Sequence, residues 1–292
     1  MTRPRLLVTR RLTDAVEARV ARDYEALTST SDVVLGADEI LKHADGKDGL
    51  LITITDRLDA QAIAALPASI RIIATVSVGI DHIDVKAAAA RGIMVTNTPD
   101  VLTDATAEIA ILLMLGAARG ANAGMSAIRE NTWGVWSANG MLGTEITGTR
   151  LGILGMGRIG QAVAKRARAF DMHIHYHNRN RLPPEQEQGA TWHSSADSLF
   201  SVSDVLSLHC ASTSETKRMV NSPRLALLPR GAIVVNTARG DIVDDGALID
   251  AVRSGHVSAI GLDVFNNEPN LDPRYRTLGS AFLLPHVGSA NQ

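Results

Sequence analysis

The chain has 292 residues and a mass of 31.1 kDa, enough for one large or two medium domains. Hydrophobic residues make up 45% and charged residues 21%, an ordinary folded composition; a net charge of -2 gives no bulk attraction to nucleic acid, and 3% aromatic residues are too few for a base-stacking platform. Cys210 is the single cysteine, which excludes an intrachain disulfide and points to the cytosol. The basic start MTRPRLLVTRRL has no apolar run of the signal-peptide kind, and IAILLMLGAA near 109 to 118 is too short for a bilayer, so a buried helix and no membrane partner are expected.

In chain order, RLLVT at 5 to 9 predicts a short strand and DAVEARVARDYEAL a helix. GLLITI at 49 to 54 is a continuous apolar strand, followed by helical spacing in LDAQAIAAL. IRIIATVSVG at 70 to 79 runs from strand into a glycine turn. DVKAAAARG closes a helix on glycine, and IMVTNTP is the next strand. Apolar strands alternating with helices predict a parallel sheet covered on both faces. The stretch 103 to 129 reads as one long helix or a broken pair, with Thr103 or Asp104 as cap, and serves as an interdomain element.

A second α/β series begins at TRLGILGMGRIGQAVAKRARAFDMHIHYHNR, which is strand, glycine turn, helix and strand. DVLSLHC, GAIVVNTA, AIGLDVF and FLLPH are further strands, and GALIDAVRSGH is a helix. NRNRLPPEQEQG is the most loop-like segment. The fold class is therefore α/β with two Rossmann-like domains: a flavodoxin-like unit over 1–99, to which 286–292 return, and a nucleotide-binding unit over 100–285.

LGILGMGRIG places Gly155, Gly157 and Gly160 in a G-x-G-x-x-G turn between an apolar strand and a helix. The first glycine permits the tight turn, the second lets the backbone approach a pyrophosphate, and the third allows close packing. The next strand of such a unit ends near the adenosine ribose, where Asp or Glu binds the 2′-OH of NAD. Here Asn178 stands there, followed by Arg179 and Arg181. An amide with two guanidinium groups suits a 2′-phosphate, so NADPH is the preferred cofactor and NADH the alternative. His173, His175 and His177 share one face of that strand. Neighbouring positions on one face lie about 6 to 7 Å apart, which is long for one tetrahedral ion, so no metal is expected.

The glycine turn, VVNTARGDIVDDGAL at 234 to 248, GLDVFNNEP at 261 to 269 and LLPHVGSA at 283 to 290 together resemble the D-isomer-specific 2-hydroxyacid dehydrogenases, and among them the glyoxylate/hydroxypyruvate reductases, over nearly the whole chain. The resemblance implies a catalytic set of Arg239 in NTARG, Glu268 in NNEP and His286 in LPHVGSA. His286 would donate a proton to the carbonyl of a small 2-keto acid, Glu268 would orient it, and Arg239 would bind the substrate carboxylate. Cofactor contacts are implied at Gly155, Gly157, Arg158, Ile159, Gly160, Cys210, Thr237 and Asp263, the last near the nicotinamide carboxamide. Substrate contacts are implied at Val76, Ser77, Val78 and Gly79 in TVSVGIDH, an anion nest of N–H groups, and around Ile52 and Thr53. His82 and Asp84 are expected to pack or cap. In ENTWGVWSANG, Trp136 matches the indole that reaches the neighbouring subunit's substrate site, which implies a homodimer.

Two departures stand out. His209, Cys210 and Ala211 replace a H-x-P stretch, leaving that loop less fixed. Family members continue after HVGSA with a helix returning to the first domain, whereas this sequence ends at Asn291 and Gln292, so a truncated or trimmed tail is expected. The active site is expected in the cleft between the domains. Competing readings are an NAD-linked dehydrogenase of a larger D-2-hydroxy acid and a nucleotide-sensing, corepressor-like interaction protein on the same fold.

Overall fold

The structure is a computed structural model and describes residues 3–291. The chain divides between Val101 and Leu102 into two compact units.

The first unit carries a five-stranded parallel sheet of β1 (Arg5–Val8), β2 (Glu25–Thr28), β3 (Gly49–Ile52), β4 (Ile72–Thr75) and β5 (Met94–Thr96), in the order β2-β1-β3-β4-β5. This is the flavodoxin-like order. Its core packs Leu7, Leu50, Ile52 and Ile73 against Ile40, Ile63 and Ala88 of the covering helices. The helix expected through Leu27 ends at Asp23. Tyr24 turns extended, and Glu25–Thr28 pairs in parallel with β1 as the edge strand. Sheet pairing overrides the local helical spacing, a tertiary effect on a short segment. The helix Ala37–Ala44 was not expected; Glu39 caps it by accepting from the Gly36 N–H at 2.9 Å.

The second unit holds seven parallel strands: β6 (Arg150–Leu154), β7 (His173–His177), β8 (Thr191–Trp192), β9 (Val205–Leu208), β10 (Ala232–Asn236), β11 (Val257–Leu262) and β12 (Ala281–Leu283). Their order is β12-β11-β10-β9-β6-β7-β8, so the strand order reverses between β6 and β9. In doubly wound sheets the crevice outside the carboxyl ends at that reversal is the ligand site. The two strands with no polar face, β9 and β10, are buried throughout, as central parallel strands must be.

The long apolar stretch is a broken pair. Thr103–Ala118 and Ala121–Arg129 meet at Gly120, which has φ +59, and bend by 70°. Neither Thr103 nor Asp104 caps the first helix; Leu102 is the cap residue, and no side chain accepts there. This helix lies on the sheet of its own unit: Leu113 O lies so close to Gly261 that a Cβ there would stand 2.7 Å from it. Among the described residues no single helix is long and apolar enough to cross a membrane; the bent pair passes only on combined length and composition. Residues 286–291, expected to return toward the first unit, are tied into the second: Val287 and Gly288 donate to Asp263, and Thr106 donates to the Gly288 carbonyl. Gln292 lies outside the described residues.

Candidate active site

The glycine turn follows β6. Gly155 has φ +98, and a Cβ on it would lie 2.5 Å from the Cys210 nitrogen, so β6 and the end of β9 approach backbone to backbone. A Cβ on Gly160 would lie 2.4 Å from the Gly155 carbonyl oxygen, which explains the third glycine. Above Gly157 there is open space, and the helix Arg158–Ala167 that starts there has no side-chain cap. That space lies at a helix N-terminus, the kind of position that favours a phosphate, with exposed Arg158 beside it. Ile159 is half-buried in the same turn. These observations fit a bound dinucleotide.

Asn178 is not turned outward. Its Oδ1 accepts from the Met156 N–H at 2.7 Å, bracing the glycine turn from β7. Arg179 is 84% exposed, with Glu215 at 3.8 Å, a loose surface pair. Arg181 differs from the expected free guanidinium: it donates through Nε and an Nη to both oxygens of Glu187, at 2.8 and 2.9 Å. The histidine stripe also has an account. His175 Nδ1 meets His193 Nε2 at 3.0 Å, His193 Nδ1 meets Ser198 Oγ at 2.7 Å, and His177 Nδ1 donates to the His193 carbonyl at 2.8 Å. Burial lowers the pKa of His175 and of His193, which favours the neutral form of those two rings. No group of three His, Cys, Asp or Glu side chains able to hold a metal ion occurs among the described residues. His193 and Ser198 were missed because their partners lie on other elements.

Cys210 and Thr237 sit at the ends of β9 and β10. Burial raises the Cys210 thiol to about 11 and pushes neighbouring His209 down to about 4. His209 bonds Ser207 Oγ at 2.8 Å and Thr237 Oγ1 at 3.3 Å. The cysteine is thus a packed backbone neighbour of Gly155 whose thiol stays protonated at neutral pH.

The three residues from separate motifs come together at the ends of β10, β11 and β12. His286 Nδ1 lies 2.6 Å from Glu268 Oε2, and Glu268 Oε1 accepts from the Phe265 N–H at 2.7 Å. Arg239 acts electrostatically on both. Gly240 makes this possible: a Cβ there would lie 1.9 Å from the Phe265 carbonyl carbon, so the ARG turn presses directly on the loop bearing Glu268. His286 has φ +56, an unfavourable conformation for a residue with a Cβ. The buried Asp263 carboxylate holds that turn, accepting from the N–H groups of Val287 and Gly288, both at 2.8 Å. Asp263, expected beside the carboxamide, is therefore first of all the anchor of the histidine turn.

The electrostatics follow the contacts. The hydrogen bond to Glu268 raises the His286 pKa above its ordinary value, against burial, which lowers it. Burial pushes Glu268 up, but the His286 hydrogen bond, the Phe265 N–H and the charges of His286 and Arg239 together leave it below its ordinary value. For Asp263 burial wins, and its carboxyl is raised despite the two N–H donors. A half-open cavity of about 310 Å³ borders this couple, lined by Phe265, Leu271, Arg276, Leu283 and Leu284. Another of about 330 Å³ lies at the opposite ends of the strands, near Arg150 and His173, far from this chemistry.

In the first unit, Ile52 is buried at the end of β3, and its carbonyl accepts from the Val76 N–H at 2.9 Å. The Ser77 carbonyl accepts from Thr98 N–H, and the Val78 carbonyl from Asn97 Nδ2. Ser77 Oγ donates to the Gly79 carbonyl at 2.7 Å. With the carbonyls tied back, no described acceptor takes the N–H groups of Val78 and Gly79, the arrangement an anion nest requires. His82 is buried against Thr75 Oγ1 at 2.9 Å, and Asp84 caps the helix Val85–Ala90, so both pack or cap. Trp136 is 83% exposed in a stretch that also exposes Trp133, Val135, Met141 and Leu142.

The comparisons agree with this geometry. The family model described as D-isomer specific 2-hydroxyacid dehydrogenase, NAD binding domain, matches residues 111–288. A glycerate dehydrogenase of Hyphomicrobium methylovorum is 43% identical over 99% of this chain and 91% of its own length. A glyoxylate reductase of Thermococcus kodakarensis is 40% identical over 99% and 87%. Among solved structures, a glyoxylate reductase from Paecilomyes thermophila superposes with a TM-score of 0.90 at 37% identity, covering 100% of this chain and 90% of that one. An NADPH-dependent glyoxylate/hydroxypyruvate reductase from Sinorhizobium meliloti, in complex with NADP and malonate, gives 0.89 at 33%, covering 99% and 88%. Family match, fold and the convergence of Arg239, Glu268 and His286 lead to one conclusion: the chain belongs to the D-isomer specific 2-hydroxyacid dehydrogenases, and is an NAD(P)-dependent oxidoreductase.

Proposed function

We propose that the protein reduces glyoxylate and hydroxypyruvate to their 2-hydroxy acids with NADPH preferred over NADH, His286 acting as general acid. The observation that carries this reading is the 2.6 Å His286–Glu268 pair with Arg239 in its field. Its support also includes the curated glyoxylate reductases among the relatives.

The chain's own groups do the following. With Nδ1 donating to Glu268, Nε2 is the ring atom that carries the transferable proton. Because Glu268 raises the imidazole pKa, the proton is held into the neutral range and is delivered as negative charge develops on the carbonyl oxygen. Arg239 binds the carboxylate and polarises the carbonyl. Within the first unit, beside buried Ile52, the N–H groups of Val78 and Gly79 are arranged as a nest suited to an anion. The nicotinamide cofactor, when bound at Gly155, Gly157, Arg158, Ile159, Gly160, Cys210, Thr237 and Asp263, supplies the hydride. The exposed apolar stretch around Trp136 suits a homodimer, with that indole reaching the partner's site.

The test is steady-state reduction of glyoxylate and hydroxypyruvate with NADPH and NADH side by side. A higher kcat/KM with NADPH supports the reading. Turnover with NADH alone sinks the cofactor preference, and turnover only with larger 2-keto acids sinks the substrate assignment.

A further inference from the structure

Glu187 is an unusual residue for the loop-like end of a cofactor strand. It is 6% exposed, yet charged. Buried carboxylates persist only when they are paired and hydrogen-bonded. Here the Tyr176 hydroxyl, at the buried end of β7, donates to Oε1 at 2.5 Å. Arg181 donates to both oxygens in a bidentate fork and lies over the Trp192 ring at 5.8 Å. The same tyrosine hydroxyl accepts from the Leu182 N–H at 3.0 Å, and Arg168 donates to the Glu187 carbonyl at 3.1 Å. These contacts clamp both sides of the segment that follows Asn178. Arg181 and Tyr176 together hold the Glu187 carboxyl down to about 2, so the clasp is ionised throughout the physiological range.

Two consequences follow for the adjacent guanidinium groups. Arg181 cannot swing to a phosphate without leaving a buried carboxylate uncompensated. Arg179, 84% exposed on the residue after Asn178, carries no such commitment. We propose that Glu187 is a positioning residue for cofactor selection: through Arg181 and Tyr176 it fixes the 178–182 segment so that Arg179, and not Arg181, meets the 2′-phosphate of NADPH. The inference rests on the NADPH reading above and divides two arginines that the sequence presents as equivalent.

The experiment is calorimetric binding of NADP⁺ and NAD⁺ to the full chain and to five variants. Arg179→Ala tests the underlying reading: it should weaken NADP⁺ about tenfold, the size of one lost charge-assisted hydrogen bond, and leave NAD⁺ unchanged. Equal weakening of both cofactors removes the phosphate from this stretch altogether. Glu187→Gln and Arg181→Met should each weaken NADP⁺ roughly threefold or more with NAD⁺ unchanged, and the double variant should lose no more than either single one, as partners in one clasp are non-additive. If Glu187→Gln leaves NADP⁺ binding unchanged or tightens it, Arg181 is itself a phosphate ligand or idle, and the positioning role is overturned. Tyr176→Phe, which keeps the Arg181–Glu187 pair, covers the case in which a charge-removing variant fails to fold: a smaller loss confined to NADP⁺ supports the clasp, and none overturns it.

Discussion

The ends of β10 to β12 and the end of β7 are built differently. At the first, carboxylates capture backbone: Asp263 takes the N–H groups of Val287 and Gly288, and Glu268 takes that of Phe265 before it reaches His286. At the second, side chains capture side chains: Glu187 takes Arg181 and Tyr176, and His193 takes His175 and Ser198. Backbone donors exist at every residue but proline, so the first arrangement needs only correctly spaced carboxylates and glycines. The second needs particular partners from separate elements. The end around His286 is therefore written in contiguous motifs, whereas the end of β7 depends on a few particular side-chain partners.

The largest expected effect breaks the catalytic end directly. His286→Ala should lower kcat for glyoxylate reduction by about 10²- to 10⁴-fold, the range for a lost general acid, while NADPH binding measured by fluorescence stays nearly intact. Turnover within a factor of two of the parent would remove His286 from the chemistry. Gly240→Ala comes next. A Cβ placed 1.9 Å from the Phe265 carbonyl carbon must push the Arg239 turn away from the Glu268 loop, so we predict roughly 10²-fold lower kcat/KM, since a shift of about 1 Å costs that much. A crystal structure of the variant with the Glu268–His286 distance unchanged and full activity would contradict this.

Asp263→Asn sharpens the contrast between backbone capture and side-chain capture. The amide can accept from one of the two N–H groups but presents its own N–H₂ to the other. Leaving one buried donor unmet costs about 1 to 3 kcal/mol, or roughly 2 to 10 °C in melting temperature for a domain this size. The expected readout is a lowered melting temperature together with lowered kcat; an unchanged thermal transition would show that the turn holds itself.

The smallest expected effect is a shift rather than a loss. Because Glu268 raises the His286 pKa, the proton-donating form persists as pH rises and is lost as pH passes through that raised value. Glu268→Gln removes the raising charge, so the alkaline limb of the reductive kcat/KM profile should move to lower pH, with activity retained below it. A limb that stays in place would assign it to another group.

Much of this was legible in the sequence where the signal is local. The glycine turn, the strands of the second unit other than β8 and the short stretches around Arg239, Glu268 and His286 each declare themselves within a few residues. The reading failed where a segment's fate depended on a distant partner. EALT at 25 to 28 continues a helical spacing, yet it is the edge strand of the first sheet because β1 offers it a row of hydrogen bonds. Thr103 has the chemistry of a cap, but the backbone enters the helix one residue earlier. Arg181 looked like a second phosphate ligand because nothing at its own position reveals that Glu187 is buried beneath it.

By itself, then, the sequence determined the fold class, the glycine turn and the motifs that carry Arg239, Glu268 and His286, because glycine geometry, strand periodicity and motif patterns act over a few residues. The tertiary structure alone decided that Asp263 anchors the histidine turn, that Asn178 braces the glycine turn and that Arg181 is bound to Glu187. Those assignments depend on which polar groups are buried together, and burial is a property of the packed chain rather than of any one residue in it.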